Sequence, residues 1–396
     1  MIKEVVKKFV PDFILSWYHF GLAFLGAVLY RFPSKKMIVI GITGTKGKST
    51  VVEFCHQIFR EAEQKVASLS SIRFKINERE WPNALKMTMP GRFKIQKFLR
   101  QAKNAGCKYI ILEVTSEGIL QHRHQFINFK TAVFTNLSPE HIERHGSFEK
   151  YKTAKGKLFQ AVKNTHIINI DDENADYFLK FPAKKKYKYG LNQGDVNNKN
   201  LRLNLLLPGE FNIHNALAAI CVGLSEKVNL KICKTAVEKM KGIPGRMEKV
   251  VSEPFDVIVD YAHTPDALEK VYQTLKPQQT KMICVLGSAG GGRDKWKRPE
   301  MGKIAEKYCG EIIITNEDPY DESPEKIIKE VGAEIKKYKL ILDRKEAIKE
   351  AIKIAKAGDI VVVTGKGCEP WMCVAGGKKI PWDDRQIVRE AFLNLK

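Results

Sequence analysis

The apolar run Met37-Ile38-Val39-Ile40 leads directly into Gly41-Ile42-Thr43-Gly44-Thr45-Lys46-Gly47-Lys48-Ser49-Thr50, and no other segment restricts the fold as tightly. A buried strand that ends on glycines and resumes as a helix is how a chain builds a phosphate loop. Glycines let backbone N–H groups approach phosphate oxygens, and the helix amino terminus adds positive potential. Lys48 would reach the terminal phosphates and Ser49 would offer its hydroxyl to magnesium, with Gly44, Thr45, Lys46, Gly47 and Thr50 completing the cradle. The loop is a variant, because Ile42 stands where the strict GxxxxGK[ST] pattern requires glycine. A nucleotide with Mg2+ is the implied ligand; a purely structural glycine turn is the alternative.

Such a loop belongs in an α/β domain, and the rest of the chain agrees. Tyr109 to Leu112, Ala132 to Phe134 and His166 to Ile170 read as buried strands separated by helical stretches. A second series follows at Val257 to Val259, Met282 to Leu286, Glu311 to Ile314 and Ile360 to Val363. Strands alternating with helices predict largely parallel sheets. Three regions are expected: a hydrophobic amino-terminal segment over 1–36, a central nucleotide-binding domain over 37–244 and a second α/β domain over 245–396. Lys241 to Gly245 reads as a hinge and Gln193 to Asn200 as a polar loop.

Composition narrows the partners. The chain has 396 residues, with 67 lysines and arginines against 45 acids, for a formal net charge of +22. That excess suits an anionic partner, although a solvated basic surface explains it equally well. No aromatic–glycine RNA-binding motif or zinc finger accompanies it, so no nucleic acid is expected. The eight cysteines form no CxxC pair, and several sit in apolar runs. They read as buried reduced thiols, not as a zinc site or a disulfide framework. Residues 13–30 are nearly all apolar, include Trp17 and Tyr18, and are flanked by lysines and Arg31. A helix packed on the body, a helix lying on a membrane surface and a single span are all open readings.

The GTKGKST form of the loop resembles the Mur ligase superfamily, and nine further segments continue the resemblance in order. LEVTSEGILQHR (112–123) places Glu113 as a magnesium ligand, and TNLSPEHIERHG (135–146) places His141 in the metal shell. YKTAKGKLF (151–159) puts Lys155 where the family carries a carbamoylated lysine. GEFNIHNALAA (209–219), GRME (245–248) and VDYAHTPDAL (259–268) give Asn215, Arg246 and Asp260 as adenine-, phosphate- and ribose-facing positions. GSAGGGRDKWKRPEMG (287–302), TNEDPYDESP (315–324) and GKGCE (365–369) give Arg293, Glu317, Asp318, Tyr320, Gly365 and Glu369 as the amino-acid end. Thr88, Thr115, Gln121 and Arg123 match acceptor-facing positions. The resemblance is nearest to the MurE branch. It implies a central P-loop ATPase-like domain, a C-terminal Rossmann-like domain, and an ATP-dependent amide ligase of peptidoglycan precursor synthesis that works through an acyl phosphate. Lys48, Lys155 and His141 would be its catalytic residues.

Two departures from the family pattern shape the expectations. Only about 36 residues precede the first strand, too few for the amino-terminal uridine-nucleotide domain usual in MurE, and Glu117 replaces a usual histidine. A muramyl-peptide-like acceptor is expected, with its uridine or lipid linkage open. Members that select diaminopimelate carry DNPR, whereas this chain reads Glu317-Asp318-Pro319-Tyr320. Loss of that arginine removes a bidentate carboxylate clamp, so a basic amino acid such as lysine is favoured. The expected location is the cytoplasm, with peripheral contact at the inner membrane face through residues 13–30. The alternatives are a folylpolyglutamate-type ligase and a non-ligase nucleotide switch that binds nucleic acid or membrane.

Overall fold

Strands that are apolar on both faces must be covered on both faces, and the first sheet is built that way. The computed structural model describes residues 11–85, 87–140, 142–276 and 280–395. The strands of the first sheet are β1 (Ile38–Thr43), β2 (Val66–Leu69), β3 (Arg73–Ile76), β4 (Arg79–Pro82), β5 (Tyr109–Glu113), β6 (Phe129–Phe134), β7 (Thr165–Asn169), β8 (Lys185–Gly190) and β9 (Val196–Asn197). They lie in the order β4-β3-β2-β5-β1-β6-β7-β8-β9. All neighbours pair parallel except the β2–β3–β4 meander at one edge. Val39, Ile110, Leu112 and Phe134 join a core with Phe98, Leu158 and Phe159. The alternate residues Ile40, Ile42, Ile111 and Val133 are equally buried, as expected where consecutive side chains point to opposite, covered faces. β1 is central, with β5 and β6 on either side, so the loop that leaves its carboxyl end opens where ligands of parallel sheets gather.

The second sheet comprises β10 (Glu248–Val251), β11 (Asp256–Asp260), β12 (Met282–Leu286), β13 (Glu311–Ile314), β14 (Lys339–Leu340) and β15 (Ile360–Thr364). Its order is β10-β11-β15-β12-β13-β14, parallel except for β10 at the edge. Val257, Val259, Val285, Val361 and Val363 pack there with Ala347, Ile348 and Val388. A small hairpin, β16 (Trp371–Cys373) with β17 (Lys379–Pro381), follows. The molecule divides into two compact units. The first takes the described residues up to Ser138, with Ser147–Leu205 and Glu210–Met240; the second takes Pro139–Gly146, Leu206–Gly209 and the chain from Lys241 onward.

Two sequence expectations change, and one open reading narrows. Gln193 to Asn200 is not a plain loop: Val196 and Asn197 form edge strand β9, and Asn197 caps a short helix over Asn198–Leu201. A polar edge strand has no apolar alternation by which to be recognised. Cys284 and Cys309 are joined in a disulfide, against the expectation of reduced thiols throughout. Their Cα atoms are 6.0 Å apart, within bonding range, although 25 residues separate them in sequence. The other six cysteines form no disulfide among the described residues. The apolar amino-terminal segment is the helix Asp12–Leu29, one face of which packs on the first unit. No helix among the described residues is long and apolar enough to cross a membrane.

Candidate active site

The phosphate loop is held by its neighbours through main-chain groups. Gly47 has φ of +79° and precedes the helix Lys48–Glu61. A β-carbon there would collide with the Asn215 side-chain oxygen, so glycine is required by both conformation and space. Asn215 is buried on the helix Glu210–Ser225 and lies beside the loop. The strand-end residues Thr135 and Asn136 clamp the other side. Asn136 Oδ1 accepts from Lys46 N at 2.9 Å, its carbonyl accepts from Thr45 N at 2.8 Å, and Thr135 Oγ1 donates to Lys46 O at 2.7 Å. Thr45 Oγ1 meets Tyr151 Oη at 3.1 Å. Lys48 Nζ donates to the Thr45 carbonyl at 2.6 Å, curled over the loop it would serve.

Two of the residues expected to hold magnesium bond to each other. Ser49 Oγ donates to Glu113 Oε2 at 2.9 Å, and the Ser71 backbone N–H donates to the same oxygen at 2.9 Å. Ser49 and Glu113 are both buried, so a hydroxyl and a carboxylate converge at the start of the loop helix, a donor set suited to a hard cation. Lys155 projects from the helix Phe148–Ala161, is 2% exposed, and donates to the Gly44 carbonyl at 2.6 Å, with its ammonium 4.4 Å from the Tyr151 ring centre. The helix thus delivers Lys155 to the phosphate loop. His141 and Thr50 differ in outcome: Thr50 is buried in the first turn of the loop helix, while His141 falls outside the described residues.

The acceptor positions divide. Arg123 bonds the Met89 carbonyl and donates to Gln121 Oε1 at 2.7 Å. That contact sets the Gln121–Arg123 turn against the segment carrying half-buried Thr88. Thr115 instead caps the helix Ser116–Leu120, accepting from Gly118 N.

In the second unit the chemistry is one of buried charge. Asp260, at the end of β11, accepts from Met247 N and Ala262 N, both at 2.7 Å. Burial pushes its carboxyl above the ordinary range, against the pull of Arg246. The Arg246 guanidinium stacks 4.2 Å from the Tyr261 ring centre. Tyr261 Oη donates to Glu369 at 3.2 Å. Lys366, which the sequence reading passed over inside GKGCE, is the organiser. It is fully buried and donates to Asp318 at 2.9 and 3.0 Å, to Glu369 at 2.7 Å and to the Trp371 carbonyl at 2.7 Å.

Asp318 and Glu369 are therefore joined through one cation, and Asp318 also accepts from Cys373 N. Glu317 differs. It is 5% exposed, and its Oε2 is buried with no hydrogen-bond partner among the described residues. Burial raises its carboxyl above the usual range, opposed first by Arg344. Gly365, at φ of +107°, stands against that carboxylate, where any β-carbon would strike it. Tyr320 lies against Gly291. Arg293 is exposed, and its charge acts on both Tyr261 and Lys297. Lys366, Asn136 and Ser71 were missed because each acts through a partner that is distant in sequence.

Comparison with known proteins agrees with both halves. The Mur ligase middle domain model matches residues 42–223, and the Mur ligase glutamate ligase domain model matches 245–367. A UDP-N-acetylmuramoyl-L-alanyl-D-glutamate–2,6-diaminopimelate ligase from Syntrophomonas wolfei is 37% identical over 93% of this chain and 81% of its own length. A UDP-N-acetylmuramyl-tripeptide synthetase from Roseiflexus is 34% identical over 95% and 82%. A solved UDP-N-acetylmuramoyl-L-alanyl-D-glutamate–2,6-diaminopimelate ligase superposes with a TM-score of 0.63 at 31% identity, covering 93% of this chain and 82% of that one. With both domain models matched, and relatives aligned over nearly the whole chain, this protein belongs to the Mur ligase family.

Proposed function

We propose that this chain is an ATP-dependent acid–amino-acid ligase that adds one amino acid to a muramyl-peptide-like acceptor in peptidoglycan precursor synthesis. A carboxylate is a poor acyl donor, because direct attack by an amine would have to expel oxide. ATP supplies the phosphoryl group that gives the carboxylate a leaving group, and magnesium supplies charge that lets two anions approach. The observation that carries the reading is the bonded pair Ser49–Glu113 at the mouth of a phosphate loop to which buried Lys155 is also hooked.

Lys48 and the loop N–H groups neutralise phosphate oxygens. Ser49 and Glu113 would hold the cation, joined by His141 and by Lys155 once carbamoylated, when its charge would change from cation to anionic oxygen donor. Asn215, Arg246 and Asp260 would hold the nucleoside and phosphate, and Thr88, Gln121 and Arg123 the acceptor. The test is product mass spectrometry after incubation with ATP, magnesium, candidate muramyl peptides and an amino-acid mixture. One ADP and one phosphate released per residue added is expected; nucleotide turnover without a mass gain on any acceptor would sink the proposal. A glutamyl-folate product would favour the folylpolyglutamate-type alternative.

For the incoming amino acid we infer a basic side chain. Glu317 offers a buried carboxylate oxygen that lacks a partner among the described residues, a position an ammonium group would satisfy. Tyr320 stands where the clamp for a distal carboxylate would need arginine. We infer that the reaction takes place in the cytoplasm, with the enzyme at the inner membrane face through residues 13–30.

A further inference from the structure

The helix Asp12–Leu29 is apolar on both sides, and only one side is covered. At 100° per residue, Ser16, Phe20, Ala23 and Ala27 fall on one face. Ala23 and Ala27 are 2% and 0% exposed, Ser16 Oγ bonds His122 Nε2 at 2.8 Å, and Phe20 packs edge-on to Phe126. Gly26 lies flat on the backbone of Arg92 and Phe93, where the helix Arg92–Asn104 begins. The opposite face should be polar if it met only water. Instead it presents Tyr18, Leu25 and Leu29, with Trp17 at its flank, each more than half exposed. No charged residue falls on this face, and Phe93 of the neighbouring helix, whose backbone lies against Gly26, is itself exposed. Contiguous exposed apolar surface of this kind marks a docking face.

The elements that border it identify the occupant. Arg31, Lys35 and Lys36 follow the helix and are all exposed. The helix Arg92–Asn104 contributes exposed Lys94 and Lys97, with Arg100 and Lys103 further along. Neither residues 30–36 nor 92–104 contain an aspartate or glutamate. Burial first, then the nearby charges of Arg100 and Lys36, holds the Lys103 ammonium below its ordinary value, so the two stretches share one positive field. We propose that this face docks on an anionic lipid surface, the helix lying in its plane with the apolar side inserted and the two basic stretches against the headgroups. This extends the membrane-side reading of residues 13–30 by naming the lipid chemistry, and it stands apart from the ligase chemistry. A second copy of the chain fits the apolar stripe but not the charge. A two-fold contact brings the same surface of each subunit together, and here that would set base against base.

The experiment is flotation of the full chain on vesicles of phosphatidylcholine alone or with phosphatidylglycerol. It is repeated for Trp17→Glu/Leu25→Glu and for Lys35→Glu/Lys97→Glu, with ATP hydrolysis confirming that each protein is folded. None of these residues belongs to the nucleotide or amino-acid machinery. The intact chain should float with the anionic vesicles, less well as salt rises, and at least about tenfold less on pure phosphatidylcholine. Each base contributes about fivefold to partitioning on an anionic surface, so the lysine pair should lose more than tenfold by charge reversal. The Trp17/Leu25 pair should abolish flotation while hydrolysis persists. No flotation of the intact chain overturns the proposal, as does equal flotation on neutral lipid. So does a solution dimer that the Trp17/Leu25 variant dissociates without any lipid binding. Failure of the ligase assay alone would leave these outcomes unchanged.

Discussion

In the first unit the groups proposed to face a ligand are main-chain N–H groups, fixed by a left-handed Gly47 and by Asn136 reaching over from the end of β6. In the second unit they are side-chain charges, most of them already joined to one another: Lys366 holds Asp318 and Glu369, and Arg344 holds Asp384 at 2.7 Å with both fully buried. A site made of backbone can be identified from a local motif, because the motif is the geometry. A site made of buried charges cannot, since the same carboxylate is structural or receptive according to whether a distant cation has claimed it. Removing residues from each half should therefore produce different kinds of failure.

The largest effect is expected at Lys366. Lys366→Met keeps the length of the side chain but strands two carboxylates around an uncharged thioether. Breaking a buried ion pair from one side costs about 3–5 kcal/mol, so the second unit should unfold at markedly lower urea concentration. A midpoint close to that of the parent would mean that the cation is not the organiser described above. Lys48→Ala should do the reverse. It removes a charge proposed to face phosphate, bonded here to the Thr45 carbonyl, so turnover should fall by about 10²–10³-fold with the urea midpoint nearly unchanged. Calorimetric nucleotide binding would separate lost affinity from lost chemistry, and parent-like turnover would remove Lys48 from its role.

That contrast also explains how much was legible in the sequence. The strands of both sheets could be read as apolar runs, because each is buried on two faces, and β1 with its glycines fixed the position of the phosphate loop. The pairing of Ser49 with Glu113 followed from family resemblance, not from spacing, since 64 residues separate them. The choice between Glu317 and Asp318 could not be read. They are adjacent, and only Lys366, nearly fifty residues later, shows which one is neutralised. Likewise the Cys284–Cys309 bond depends on β12 and the strand-entry turn of β13 lying side by side, which no cysteine spacing reports.

A sharper comparison sets the two adjacent acids against each other. If Glu317 is the open carboxylate, Glu317→Gln should raise KM for a basic amino acid about tenfold, corresponding to about 1.4 kcal/mol, with stability preserved. Asp318→Asn should instead destabilise the second unit by weakening its bond to Lys366, with a smaller effect on KM once folded protein is counted. Because burial raises the Glu317 carboxyl, the parent affinity for an ammonium ligand should also improve as pH rises through that raised value. Equal KM shifts in both variants would erase the distinction between them.

The smallest expected effect distinguishes the units by acid. Burial holds His56 down to about 3 and His124 down to about 4, from an ordinary value of 6.5, and both belong to the first unit. In the unfolded chain each takes up a proton as pH falls through 6.5, whereas the folded unit refuses it until much lower pH. Their contribution to stability is therefore intact above 6.5 and is lost progressively as pH falls toward 4 and 3. Between pH 7 and 5.5 the loss is about 1 kcal/mol for each. In the second unit Asp260 and Glu317 are shifted the other way, their carboxyls raised by burial. There the folded state accepts the proton first, so acid relieves strain in that unit instead of adding to it. Hydrogen exchange followed by mass spectrometry, corrected for intrinsic rates, would read each unit separately through the amides of β1 and β5 and those of β12 and β15. Protection should weaken in the first pair between pH 7 and 5.5 and hold in the second. The loss should shrink in His56→Gln and His124→Gln, since a neutral amide has no proton to take up. An acid effect of equal size in both sheets, unaltered by either substitution, would show that buried histidines do not set the difference.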